Sequence, residues 1–201
     1  MTSNLFDLSN KVALITGSSK GIVRAIAEEM ARHGAKVVIS SRKADICEKI
    51  ANAINIEFAG DVSHSTGGAV AIPANISRKE ELQRLVDTIR EKLGKIDILI
   101  CNAAVNPYYG SMQDLPDEAF DKILGVNIKS NHWLVNMVLP EMKMRKDGSI
   151  IIVSSIGGLR GSPVLGAYCI SKAADLQLVR NLATEYGREN IRVNAISPGL
   201  V

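Results

Sequence analysis

The stretch Val12-Ala13-Leu14-Ile15-Thr16-Gly17-Ser18-Ser19-Lys20-Gly21 decides the architecture. Its first four residues are apolar and partly β-branched, whereas the rest are small or polar and include two glycines. That order predicts a short buried strand entering a tight turn. A helix is expected next, because Ile22, Ile26 and Met30 recur at helical spacing and Gly34 supplies a stop. Backbone N–H groups at such a helix start point outward and the helix dipole favours an anion, so the turn suits a phosphate. A glycine turn alone says little, but after the first strand of an alternating chain it says much more.

The same unit repeats downstream. Val37–Ile39 predicts a second strand, Ala44–Ile54 a helix, Ala69–Ile72 a third strand, and Lys79–Leu93 a helix closed by Gly94. A fourth strand is expected over Ile96–Ile100, a helical stretch from about Asp117 through Met144, and a fifth strand over Ser149–Val153. A helix over Ala167–Tyr186 and a sixth strand over Arg192–Ile196 complete the pattern. Apolar strands alternating with amphipathic helices require crossover connections and a parallel sheet covered on both faces, the doubly wound α/β architecture of Rossmann type. One domain accommodates residues 1–201. Ala59–Gly68 is polar and glycine-rich, which predicts a mobile loop before the third strand. Ser197-Pro198-Gly199-Leu200-Val201 leaves the last strand without a capping element, and this reads as a domain whose substrate lid and final strand lie beyond the sequence.

Of the 201 residues 46% are hydrophobic and 22% charged, with a formal net charge of +3. A substantial core is therefore available, and basic residues interspersed with acids argue against a nucleic-acid surface. Met1–Asn10 lacks the charged start and apolar run of a secretory signal, and no later segment offers a long uncharged stretch, so a cytoplasmic protein with no membrane span is expected. Cys47, Cys101 and Cys169 are odd in number and widely spaced, and His33, His64 and His132 are equally scattered. Neither a disulfide frame nor a metal site is predicted.

Chemistry concentrates late in the chain. Tyr168 and Lys172 lie four apart on a predicted helix, which puts them on one face. A tyrosine with an ordinary pKa of about 10 must be brought about three pH units lower to act as a base near neutrality, requiring roughly 4 kcal/mol of preferential phenolate stabilisation. A nearby ammonium provides part of it. Tyr-x-x-x-Lys arises often by chance, but here it follows the fifth strand, and Ser154-Ser155 ends that strand, thirteen residues before the tyrosine. At the end of the second strand, an acid would bond an adenosine ribose and repel a 2′-phosphate. This chain has Ser40-Ser41-Arg42-Lys43 instead, and Arg42 can pair with phosphate through two parallel hydrogen bonds while Lys20 adds a second charge.

With these motifs in this order, the chain resembles the short-chain dehydrogenase/reductase family over essentially its whole length. Thr16, Gly17 and Gly21 match the family's Thr-Gly-x-x-x-Gly-x-Gly, with Val23 in place of the last glycine. Cys101-Asn102-Ala103-Ala104 is similar to Asn-Asn-Ala-Gly, agreeing at Asn102 and Ala103, and Asn75-Ile76 stands where an Asp-Val pair is common beside the adenine. Asn194–Gly199 resembles the motif beside the nicotinamide.

The resemblance implies a nicotinamide cofactor, with NADP(H) favoured over NAD(H). It would be held by Gly17, Ser19, Lys20, Gly21 and Ile22 of the glycine turn, by Ser41 and Arg42, by Asn75 and Ile76, and by Asn102 and Ala103. Tyr168, Lys172, Pro198, Gly199 and Val201 would complete its contacts. By the same resemblance Tyr168 transfers a proton, Ser155 bonds the substrate oxygen, Lys172 lowers the tyrosine pKa and holds the nicotinamide ribose, and Asn127 holds a water in a proton relay with the lysine. Ser154 is expected to serve the local backbone.

The implied activity is that of a carbonyl reductase, moving hydride between NADP(H) and a small-molecule carbonyl or secondary alcohol. Val105, Asn106, Tyr108, Ile156, Gly157 and Leu165 are expected to line the substrate. Family members commonly pair their long helices, so a homodimer or homotetramer is expected; Trp133, Leu134, Met137 and Val138 form an apolar face that could equally be internal. Two alternatives stand beside this. Val23, Cys101 and Ala104 suit a catalytically weak binding protein that keeps the fold. Lys129, Lys143, Arg145 and Arg160 are compatible with a 3-oxoacyl-carrier-protein reductase that docks an acidic protein, and equally with a solvated surface.

Overall fold

A computed structural model describes residues 5–17, 21–58 and 67–200 of the chain, and of Val23 the backbone alone. The expected mobile loop falls almost wholly on residues 59–66, outside the described residues. The elements in order are β1 (Val12–Thr16), α1 (Ile22–Arg32), β2 (Lys36–Ser40), α2 (Ala44–Phe58), β3 (Gly68–Ala71), α3 (Lys79–Leu93) and β4 (Ile98–Cys101). There follow α4 (Asp117–Leu124), a π-helical segment (Gly125–Lys129), α5 (Ser130–Arg145), β5 (Gly148–Val153), α6 (Gly166–Tyr186) and β6 (Ile191–Ile196).

All strand pairings are parallel, in the order β3-β2-β1-β4-β5-β6. The period of two in each strand sends alternate side chains to opposite faces. Val12 and Leu14 of β1, with Leu99 and Cys101 of β4, enter the layer packed against α3, α5 and α6. Ala13 and Ile15, with Ile98 and Ile100, enter the layer under α1 and α2. The sheet is thus the middle layer of a doubly wound α/β fold. No helix among the described residues is long and apolar enough to cross a membrane.

Several element ends lie one residue from the sequence-based expectation, and larger differences occur at α2, at β4 and in the stretch before β5. Helix α2 runs on from Ile54 to Phe58 because the Asn55 side chain clamps the first turn of β3, accepting from Ala69 N at 2.7 Å and donating to Ala69 O at 2.9 Å. Strand β4 begins at Ile98 rather than Ile96. Its lead-in is held by Asp97, whose backbone N donates to Val12 O at 2.9 Å and whose carboxylate accepts from Val12 N at 2.8 Å. The stretch from Asp117 to Met144 is not one α-helix, since the π-helical turn interrupts it around Asn127. Such turns concentrate at functional sites, where the extra residue re-aims a side chain.

Asp97 is 3% exposed and ion-pairs with Lys95 at 3.1 Å. Replacing it with Ala removes the acceptor for Val12 N–H at the start of the central strand. Asp97→Ala is expected to lower stability by about 1–3 kcal/mol in urea unfolding. Stability equal to the parent would show that this carboxylate does not anchor β1 to β4.

Candidate active site

Strand order reverses between β1 and β4, and in open parallel sheets the crevice at such a switch point receives the ligand. Thr16 joins the two strand ends: its hydroxyl oxygen accepts from Asn102 N at 3.2 Å and Ala103 N at 3.3 Å. Gly17, at φ +76°, passes so near the next loop that a Cβ would sit 2.9 Å from the Ala103 Cα. Only glycine meets both conditions. Gly21, at φ +61°, precedes Ile22, the first residue of α1.

A cleft of about 680 Å³ opens here, lined by Gly17, Ser41, Arg42, Asn75, Ile76, Asn102 and Ala103, and reaching Val126, Lys129 and Trp133. A glycine-lined close approach, the start of a helix and a cleft of this size fit an adenine dinucleotide. Ser41 accepts from Lys43 N at 3.3 Å and lies 3.1 Å from the Cys47 sulfur, fixing the turn on which Arg42 stands exposed. Asn75 turns its side-chain oxygen to its own loop, accepting from Ser77 N at 3.1 Å and Ser77 Oγ at 2.7 Å. Ser19, Lys20, Val201 and the Val23 side chain lie outside the described residues.

The second half of the site gathers where β5 ends against α6. Ser155 accepts from Gly157 N at 3.1 Å, and it flanks that glycine together with the half-buried Tyr168: a Cβ on Gly157 would sit 3.5 Å from Ser155 Oγ and 3.9 Å from the Tyr168 ring. Lys172 lies on the same helix face, its Nζ 5.8 Å from the Tyr168 ring centre. Ser154 donates to Lys172 O at 2.8 Å, so its hydroxyl serves the backbone of α6, 18 residues on, rather than the local backbone expected of it. Ile156 N donates to Pro198 O at 2.9 Å, so the turn after β6 flanks Ser155, with Gly199 next in the chain.

Asn127 links the two halves. Its Oδ1 accepts from Val105 N at 2.8 Å, and its Nδ2 donates to Val105 O at 3.0 Å and to Ser171 Oγ at 3.0 Å. Val105 lines the cleft and Ser171 lies on α6 beside Lys172. The side chain of Asn127 is thereby committed to positioning the loop after β4.

Of the residues expected around a substrate, Val105, Ile156 and Gly157 lie with this group. Leu165 pairs with Gly110 at the start of α6, whereas Tyr108 donates to Ser111 O at 3.0 Å within its own loop and Asn106 is exposed.

Two residues in the centre of the site went unremarked in the sequence. Asp175 and Asn131 are 0% and 2% exposed. Lys172 Nζ donates to Asp175 Oδ2 at 3.0 Å and to Val153 O at 2.8 Å, and Asn131 Nδ2 donates to Asp175 Oδ1 at 3.0 Å. The available signal was an acid three residues after the motif lysine on one helix face.

Burial raises the proton affinity of Tyr168; the nearby Ser155 hydroxyl opposes this, and the charge of Asp175 adds to it. Burial likewise lifts the carboxyl of Asp175, with Lys172 and Asn131 pulling it back. The Cys101 thiol, also buried, is held protonated.

Three of the four noted basic residues have partners within the chain. Lys129 stacks on Trp133 and Lys143 on Tyr186, each at 5.3 Å, while Arg145 bonds Ile96 O at 2.8 Å and pairs with Glu141. On α5, Leu134 and Val138 belong to the internal core, and Trp133 and Met137 pack against it partly buried.

A family model for short chain dehydrogenases matches residues 11–201. The chain is 44% identical over 197 residues to the dehydrogenase/reductase SDR family member 4 of Bos taurus, covering 96% of this chain and 67% of that protein. A crystal structure of a short-chain type dehydrogenase/reductase from Mycobacterium marinum superposes with a TM-score of 0.88 at 33% identity, covering 97% of this chain and 76% of that one. NAD+-bound xylitol dehydrogenase superposes with a TM-score of 0.87 at 28% identity, covering 98% and 72%.

The pair of hydrogen bonds between Asn127 and Val105 gives a local test. Asn127→Ala is expected to strip the Val105 amide of its hydrogen-exchange protection while leaving β4 and β5 protected. Unchanged protection at Val105 would refute the positioning role.

Proposed function

The chain belongs to the short-chain dehydrogenase family, and on that premise we propose that it is an oxidoreductase moving a hydride between NADP(H) and a small-molecule carbonyl or secondary alcohol. The observation that carries this reading is the gathering of Ser155 and the buried Lys172 around Tyr168, with the Lys172 Nζ 5.8 Å from the ring centre. A bound nicotinamide cofactor supplies the hydride or accepts it. Gly17 and the start of α1 would receive its phosphates, and Asn102 and Ala103 its ribose.

In reduction Tyr168 gives its proton to the substrate oxygen, and in oxidation it takes the proton back. Ser155, oriented by Gly157 N, is placed to bond the same oxygen as charge develops there. Lys172 presents a fixed ammonium on the tyrosine's side of the helix. Because burial keeps the phenol protonated, reduction proceeds at neutral pH and is lost as pH rises through the raised pKa, whereas oxidation gains with pH over that range.

The choice of cofactor rests on Arg42, exposed at the cleft, and on a turn from Ser40 to Lys43 without an acid. The xylitol dehydrogenase relative was solved with NAD+, so this choice is the chain's own. The internal partners of Lys129, Lys143 and Arg145 favour a small-molecule substrate over an acidic carrier protein. A homodimer or homotetramer paired through α5 and α6 belongs to the same reading, resting on the partly exposed Trp133 and Met137; a monomer at micromolar concentration in sedimentation would remove it. A reducing cytoplasm suits three buried free thiols.

Tyr168→Phe is expected to reduce turnover by about 10²–10⁴-fold, with NADPH binding near the parent's by fluorescence titration. Retained turnover would overturn the assignment. Arg42→Ala is expected to weaken NADPH by roughly ten- to a hundredfold and NADH little, the value of losing charged hydrogen bonds. Equal losses for both would make Arg42 a bystander.

A further inference from the structure

Behind the tyrosine, α6 carries an acid that the reaction as described does not use. Asp175 lies three residues beyond Lys172 and is fully buried. Both its oxygens have partners: Oδ2 takes a hydrogen from Lys172 Nζ at 3.0 Å, and Oδ1 takes one from Asn131 Nδ2 at 3.0 Å. The Asn131 amide also donates to Asn127 O at 2.7 Å. Lys172 has three N–H donors, and two of them go to Asp175 and to Val153 O at 2.8 Å. Groups from β5, α5 and α6 thus converge on one ion pair, with the π-helical segment steadying Asn131, which is what a carboxylate needs to stay charged away from water.

The pair has an electrostatic consequence for the residue in front of it. An isolated ammonium beside a phenol stabilises phenolate strongly, whereas an ammonium paired with a carboxylate presents a dipole whose field falls off faster. We propose that Asp175 is a positioning residue: together with Asn131 it holds Lys172 against Val153 and offsets its charge, so that Tyr168 remains a proton donor at neutral pH and the site is set for carbonyl reduction. This rests on the reading of Tyr168 as the proton-transfer group.

The ionisable groups around Asp175 are Lys172 and Tyr168 on its own helix and Cys101 from β4, whose thiol burial keeps neutral. Asn127 of the π-helical segment, Asn131 of α5 and Val153 of β5 contribute uncharged groups. Asp175 itself adds to the rise in the Tyr168 proton affinity, in the direction the geometry requires. Removing its charge uncovers that of Lys172, so the phenolate becomes easier to form.

The chain has four tyrosines, so labelling the tyrosine ring ζ carbon with 13C gives a resolvable titration, and Tyr168→Phe assigns the signal. In the protein without cofactor, Asp175→Asn is expected to raise the phenolate fraction of Tyr168 at a given pH about tenfold. An unchanged midpoint, or a higher one, overturns the proposal. Should that variant fail to fold, Asp175→Ser, which leaves room for water to solvate the ammonium, must move the midpoint the same way, and an unmoved midpoint overturns the proposal equally. The titration needs no turnover, so it separates the two readings. A shifted Tyr168 midpoint in a protein that turns over no alcohol or ketone sustains the role of Asp175 and removes the proposed reaction. Where alcohol oxidation is measurable, its rise with pH must begin at lower pH in the variant; coincident profiles count against the proposal.

Discussion

Because every strand runs in the same direction, all their carbonyl ends emerge on a single edge of the sheet, and the helices that return the chain must cover both faces. The one place where this edge parts is between β1 and β4, where connections leave in opposite directions. Thr16 closes the base of the gap through the amides of Asn102 and Ala103, and Gly17 lets the backbone pass beside Ala103 without a side chain. The cleft follows from that constraint. Arg42 and Asn75 face it because they lie in the loops that follow β2 and β3, and Ser155 stands at the same edge because it follows β5.

A second centre is built from helices rather than strand ends. The π-helical turn at Gly125–Lys129 aims Asn127 both at the Val105 backbone and at Ser171, so the loop after β4 and the helix bearing Tyr168 are joined by one amide. Next along the same face, Asn131 reaches Asp175. The loop after β4 and the helix bearing Tyr168 therefore share a continuous set of hydrogen bonds, largely buried, which makes their relative placement stiff.

Much of this was legible from local pattern. The step from Val12–Ile15 to Gly17 and Gly21 fixes a strand, a turn and a helix in ten residues, and the lining of the cleft by Ser41, Arg42, Asn75 and Asn102 follows from their places just after strands. Tyr168, Lys172 and Ser155 are legible because their spacing repeats within one helix and one strand end. Asp175 and Asn131 were not, since an acid or amide on an amphipathic helix is ordinarily solvated, and it is the approach of the π-helical segment and the start of α5 to α6 that buries them. The π-helical turn escaped as well: residue propensities do not distinguish an i→i+5 turn from its α-helical neighbours. Element ends moved where a side chain from elsewhere, such as Asn55 on Ala69, extended the pairing.

The buried triad of Lys172, Asp175 and Asn131 also constrains how such a chain can change by descent. Loss of Asp175 alone strands an ammonium, and loss of either partner strands part of a carboxylate. Breaking a buried pair costs about 3–5 kcal/mol, a large share of the roughly 5–15 kcal/mol that holds a typical domain together. A joint exchange of Asp175 and Asn131 for apolar residues leaves no carboxylate to satisfy but still strands the Lys172 ammonium, so Lys172 must be accommodated as well. Asp175 and Asn131, 44 residues apart in sequence, are therefore energetically coupled through Lys172, and a change at one alters the cost of a change at the other.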